Sequence, residues 1–155
     1  MVARPPAFDL SLQDFLEGVF CVFAFREQRA VDLIPGVFEE ALGQTFEELE
    51  KQMARERIRV AFRRSPKALS QRGSVLVKAL ASLQREGVIR LTVTPPGAQM
   101  LLTPPGAYGR LSAMHVPIGF LERAAKALQR RLQVNRIRRS LAGLATRHER
   151  KAEPT

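Results

Sequence analysis

The side chains best able to do chemistry in this 155-residue chain are basic. Arg63, Arg64, Lys67, Arg72, Lys78, Arg85 and Arg90 follow one another closely, interleaved with the hydroxyls of Ser74 and Ser82 and the apolar Val75. Cations and hydroxyls at this density suit a surface that neutralises and hydrogen-bonds phosphate oxygens. The parts of other chemistries are missing. His115 and His148 stand far from Cys21, the one cysteine, and no His/Cys spacing fits a metal site. No Gly-rich phosphate loop of the Walker type occurs. The carboxylates gather near the N-terminus without a lysine two residues on, apart from Glu149 and Lys151 in the tail, so a metal-dependent nuclease lacks its usual parts. These absences predict a protein that is not an enzyme and uses neither metal nor cofactor. His115 reads as a structural residue beside Pro117, and Cys21, inside VFCVFAF, as a buried thiol in a reduced, cytoplasmic setting.

The charge is unevenly placed. The whole chain carries a net +10, yet residues 1–50 alone carry −7, residues 51–90 carry +9 and residues 121–155 carry +7. An acidic front followed by two basic blocks points to nucleic acid or another anionic surface as partner. A membrane partner is not expected: the apolar run over 19–25 is far shorter than the ~18 residues of a span. The first residues show no basic region followed by a long apolar core and a small-residue cleavage site, so a secretory signal is not expected.

Those cations need elements to hold them. Residues 1–8, with Pro5 and Pro6, read as a loose arm. Ser11 caps a helix whose apolar stripe Leu12, Phe15, Leu16, Val19, Phe20 and Phe23 carries it to about residue 30, although a buried strand over 19–25 would have the same composition. Gly43 predicts a break after a short helix at 37–42, and TFEE at 45–48 a second helix start. Alternation of Ile58, Val60 and Phe62 with arginines predicts a strand over 57–63, the alternative being continuation of the helix. Ser65-Pro66 opens a short helix, and Ser74 caps a longer one that Gly87 ends. Leu76, Leu80 and Leu83 form its core face, and Val75, Lys78, Ser82 and Arg85 its outer face.

Val88–Val93 and 99–102 read as two arms of a hairpin, with the first TPPG, at 94–97, as its type II turn through Pro96 and Gly97. The second TPPG, at 103–106, ends the hairpin, and a cap and short helical turn follow. From Pro117 a long basic helical region begins. Its apolar stripe runs Leu121, Ala125, Leu128, Leu132 and then slips to Val134, Ile137, Leu141, Leu144, which predicts a bend or two helices.

Between residues 45 and 103 the order is helix, strand, short helix, helix, strand, turn, strand. This order, with Leu76, Leu80, Leu83, Gly87 and Ile89 in an L-x(3)-L-x(2)-L-x(3)-G-x-I pattern, resembles the winged helix-turn-helix superfamily. The ending Leu102-Thr103-Pro104 is similar to that of MarR- and PadR-type regulators, although the acidic-basic wing motif common in MarR proteins is absent. Ser70 stands where the motif's turn usually carries glycine, and Pro66 implies a short or displaced first helix.

The resemblance implies a mainly α fold with a small antiparallel hairpin or sheet, a winged helix-turn-helix at 45–106, an acidic helical segment at 1–44 and a basic helical region with a frayed tail at 107–155. It further implies sequence-specific or architectural binding of double-stranded DNA by a homodimeric, nucleoid-associated transcriptional regulator. Arg72, Ser74, Val75, Lys78 and Ser82 would lie in or at the major groove, Arg85 and Arg90 would flank it, Arg63, Arg64 and Lys67 would add further nucleic-acid contacts, and the tip Thr94–Ala98 would lie over the backbone or minor groove. The N-terminal helix and the C-terminal helices would form the dimer layer.

Three alternatives stand beside this reading. Lys78 and Arg85 can be the solvated face of a surface helix. The chain can be a winged-helix interaction subunit of a replication, segregation or phage-type machine whose acidic front docks a protein. The arginine-rich C-terminal helix, with Arg130, Arg131, Arg136, Arg138 and Arg139, can bind RNA, although both basic blocks lack stacking aromatics.

Overall fold

The computed structural model describes residues 8–60, 62, 65–70 and 74–152. The arm expected at 1–8 lies outside them except for Phe8, which begins strand β1 (Phe8–Leu10). Helix α1 (Leu12–Phe25) starts as predicted, with the Asp14 N–H donating to Ser11 Oγ at 3.1 Å. It is a helix through 19–25, which overturns the strand alternative. Every residue from Val19 to Ala24 is buried because α1 is wrapped by later helices on several sides. It also ends earlier than expected. Arg26 and Glu27, the latter with φ of 63°, turn the chain into strand β2 (Ala30–Asp32).

One helix, α2 (Val37–Glu56), replaces the two expected. Phe38, Leu42, Phe46, Leu49 and Met53 keep helical spacing straight across Gly43, and all are buried. The Thr45 hydroxyl is not a cap. It donates to the Ala41 carbonyl one turn back at 2.7 Å, which satisfies it inside a continuing helix. Arg57, in the left-handed region with φ of 56°, ends α2. The strand that follows, β3 (Ile58–Val60), is shorter than the expected 57–63 and pairs in parallel with β1. Asp9 and Arg59 face each other across that ladder at 3.0 Å.

Helix α3 (Pro66–Ser70) has five residues, in line with the position of Pro66, and Ser65 Oγ caps it through Ala68 N at 3.2 Å. Helix α4 (Val75–Arg85) is capped by Ser74 Oγ through Val77 N at 3.4 Å. Gly87, with φ of 76°, lets Val88 N reach the Leu83 carbonyl at 3.0 Å, the closing bond of a Schellman-type end.

Strands β4 (Ile89–Thr92) and β5 (Gly97–Met100) form the hairpin, and β2 adds to β5 to give an antiparallel sheet of order β2-β5-β4. The type II turn through Pro96 and Gly97 is not formed. The loop is 93–96, its Thr94–Pro95 bond is cis, and Gly97 is already a strand residue opposite both Thr92 and Asp32. Gly97 serves close approach instead: a Cβ there would lie 3.0 Å from the Val31 carbonyl oxygen.

The second TPPG does end the hairpin, and it also starts helix α5 (Pro104–Ala113), longer than the short turn expected. Thr103 Oγ1 accepts from Gly106 N at 3.3 Å, with proline in the first turn. Helix α6 (Ile118–Ala152) is a single element of 35 residues, not two helices. Its two apolar runs face different ways: Leu121, Ala125 and Leu128 are buried, whereas Val134, Ile137, Leu141 and Leu144 are exposed.

The architecture is therefore mainly helical with a small three-stranded antiparallel sheet. One hydrophobic core runs from Leu10 to Leu128 and draws on the acidic front, the middle and the C-terminal region alike, and position 44 falls inside α2. Phe15, Phe46, Phe62 and Phe120 make its aromatic centre, with Phe15 and Phe46 ring centroids 4.6 Å apart. Because α1 is the middle of this core, it cannot also form the dimer layer expected of it.

Candidate nucleic-acid interface

Helix α4 is amphipathic about a line slightly rotated from the expected one. Leu76, Ala79 and Leu83 are buried and Leu80 is half-buried. The outermost ridge is consequently Val77, Lys78, Ala81 and Arg85, with Val75 exposed at its edge. Val77 and Ala81 were missed because the small Ala79 gives no hint in the sequence that it, more than Leu80, sets the core line. Lys78 and Arg85 stand where the sequence places them.

The two serines differ from expectation. Ser74 is buried and its Oγ caps α4, so it is not placed to touch a ligand's bases. Ser82 is half-buried and its Oγ accepts from Arg85 Nη2 at 3.0 Å, which steadies the guanidinium. Gln84 reaches across to the sheet, where its Oε1 accepts from Leu91 N at 2.7 Å and fixes the hairpin against the end of α4.

Arg90 lies on the solvent side of that hairpin, in a cross-strand row with Gln99 and Ala30, all exposed. Lys67 is exposed on α3, which packs beside α4. Arg63, Arg64 and Arg72 lie outside the described residues. The expected tip Thr94–Ala98 shrinks to 93–96, because Gly97 and Ala98 are buried in β5, and Val93 is its most exposed apolar residue. The loop carries no charge.

The acid nearest the end of α4, Glu86, is engaged by Arg110: Nη1 lies 3.9 Å from its carboxylate and Nη2 donates to its carbonyl at 3.4 Å. Arg110 also pairs with Glu17. Part of the second basic block is engaged within the fold. Arg130 and Arg131 meet Glu48, Arg136 meets Asp32 at 3.0 Å, and Arg139 donates to the Pro35 carbonyl at 2.8 Å. Arginines of the last block thus meet two acids of the front, Asp32 and Glu48, while residues 51–90, which hold α3, α4 and the start of β4, carry a net +9.

Elsewhere, His115 is exposed in a cleft of about 520 Å³ shared with Asp9, Asp14 and Glu17. Among the described residues no group of three or more His, Cys, Asp or Glu is arranged to hold a metal, and no helix is long and apolar enough to cross a membrane. Comparison with protein-family models, curated proteins and solved structures finds no match.

Proposed function

We propose that this chain binds double-stranded DNA through the outer face of α4, as a winged helix-turn-helix protein acting as a homodimeric transcriptional regulator, without catalytic activity. The observation that carries the reading is the net +9 of residues 51–90 together with Lys78 and Arg85 on one exposed helix ridge. The order of elements supports it in altered form. Helix and strand before the α3–α4 pair are supplied by α1 and β2, with α2 and β3 interposed, and β2 is the strand that joins the hairpin. An 11-residue helix presenting small and apolar residues beside two cations fits a major groove, where apolar groups meet thymine methyls and arginine meets guanine.

The test is fluorescence anisotropy with labelled duplexes at about 50 mM salt, where phosphate contacts are strong. Binding that falls steeply with added salt, and falls further in Lys78→Ala and Arg85→Ala, is the expected result. A folded protein that binds no duplex overturns it. Selection from a random DNA pool then separates a regulator, which enriches a palindrome, from an architectural binder, which enriches nothing.

One observation favours the protein-interaction reading. A groove of about 470 Å³ on α2 is lined by Glu40, Glu47, Glu50, Gln44 and Phe46, an acidic site suited to a basic segment of another protein. Retained partner binding without any DNA binding would move the reading there.

A further inference from the structure

The last apolar run of α6 is a surface with no cover. Val134, Ile137, Leu141 and Leu144 are 42%, 60%, 60% and 59% exposed. They follow one another at intervals of three, four and three residues, the a/d spacing of a two-stranded seam. Other side chains of the same turns fasten the helix to the body. Asn135 Nδ2 donates to Gln44 Oε1 at 3.1 Å, and Arg136 and Arg139 hold Asp32 and the Pro35 carbonyl. The seam is therefore presented in a fixed orientation. These contacts also show α6 running antiparallel to α2, which begins at Val37, so α6 continues past it for about 20 Å at 1.5 Å per residue.

We infer that this stripe pairs with the same stripe of a second copy, the two α6 helices lying parallel and in register. The residues beside the seam select that occupant. With Val134 and Leu141 at a, and Ile137 and Leu144 at d, the flanking g positions are Gln133 and Ser140 and the e positions are Arg138 and Ala145. In a parallel pair each g residue faces the following e residue of the other helix, so Arg138 meets Gln133 and no like charges face each other. An antiparallel pair would bring the two Arg138 side chains together. An acidic helix would be matched by cations at several flanking positions, and here there is one.

Four side chains bury far less than the ~1,200 Å² of a stable interface. The dimer is accordingly weak and concentration-dependent. This inference rests on the self-association in the proposed function and not on its DNA contact.

The test uses the full chain without DNA. Sedimentation equilibrium should show a monomer–dimer equilibrium that Ile137→Asp and Leu141→Asp each abolish while the circular dichroism spectrum stays unchanged. Leu141→Cys should oxidise to a covalent dimer, because like residues face each other in a parallel seam, and a mixture of Ile137→Cys and Leu141→Cys proteins should give mainly like-with-like links. A monomer at every concentration overturns the inference, as does a dimer that survives both aspartates. Predominance of 137-to-141 links overturns the parallel register. Binding of monomeric protein to a synthetic helix with leucines at a and d and glutamates at e and g, or to anionic vesicles, assigns the stripe to a different occupant. Duplex binding is measured separately on the same proteins: loss of DNA binding with the dimer intact removes only the DNA reading.

Discussion

Ser74 and Lys78 stand one turn apart on the same helix and have separable roles. The Ser74 hydroxyl satisfies a backbone N–H at the start of α4 from a buried position, whereas Lys78 projects into solvent from its outer ridge. Ser74→Ala should therefore lower stability by about 1 kcal/mol, the usual cost of losing a cap, with duplex affinity retained in the folded fraction. Lys78→Ala should change stability by less than about 0.5 kcal/mol and should weaken duplex binding, lowering the salt slope by about one. Urea denaturation and salt-dependent anisotropy on both variants check this; a fully folded Ser74→Ala protein with impaired binding would return the serine to the interface. Cys21 supplies a second residue-scale prediction. Burial pushes its thiol from 9.0 up to about 12, Glu17 adds to the rise and Arg110 opposes it. The unfolded chain ionises first, so stability contributed by the neutral thiol is intact below pH 9 and is lost as pH climbs from there towards 12. Denaturation midpoints followed across that range should fall in the native chain and fall less in Cys21→Ala.

Elements were legible where their ends are written in short-range chemistry. Ser11, Ser65 and Ser74 cap the helices they were expected to cap, and Gly87 ends α4. They were not legible where a distant partner decides. Thr45 has the spelling of a cap, but Phe46 packs on Phe15 and Phe62, and that core contact carries α2 through Gly43. β2 is three residues long with one buried side chain, too little for periodicity to reveal, and forms because β5 offers it an edge. The outer face of α4 was half legible, cations correct and serines not, since cap and contact use the same residue types. The two TPPG stretches differ because the first joins strands and the second meets the end of one. Arg57 shows an element boundary set against local preference. A residue with a side chain in the left-handed region costs roughly 1–2 kcal/mol, so Arg57→Gly should stabilise the protein by up to about 1 kcal/mol. A shift of the urea midpoint upward is the expected reading, and a downward shift would mean that the Arg57 side chain makes a contact worth more than the backbone relief.

At the scale of the molecule, the fold turns a lopsided sequence into a simpler charge distribution. The acidic front and basic α6 meet through Glu48 with Arg130 and Arg131, and Asp32 with Arg136, while residues 51–90 carry a net +9 of the chain's +10. This predicts which substitutions alter long-range attraction to DNA. If α4 and its neighbours are the DNA face, Lys78→Ala with Arg85→Ala removes two phosphate-facing cations, and log affinity against log salt should flatten by about two contacts, roughly 0.9 per contact. Glu48→Gln frees Arg130 and Arg131 on α6 without touching α4, and should leave that slope unchanged. If instead α6 binds the polyanion, the order reverses: Glu48→Gln steepens the slope and raises affinity, and the α4 pair has little effect. Stability discriminates further, because exposed ion pairs contribute only about 0–1 kcal/mol each, so Glu48→Gln should unfold at nearly the same denaturant concentration as the native chain. Its DNA behaviour then reports electrostatics rather than a loosened fold. Measuring the salt slopes of the native chain, the α4 double variant and Glu48→Gln on one duplex therefore separates a helix that reads DNA from a basic helix whose charge serves mainly to hold the acidic front in place.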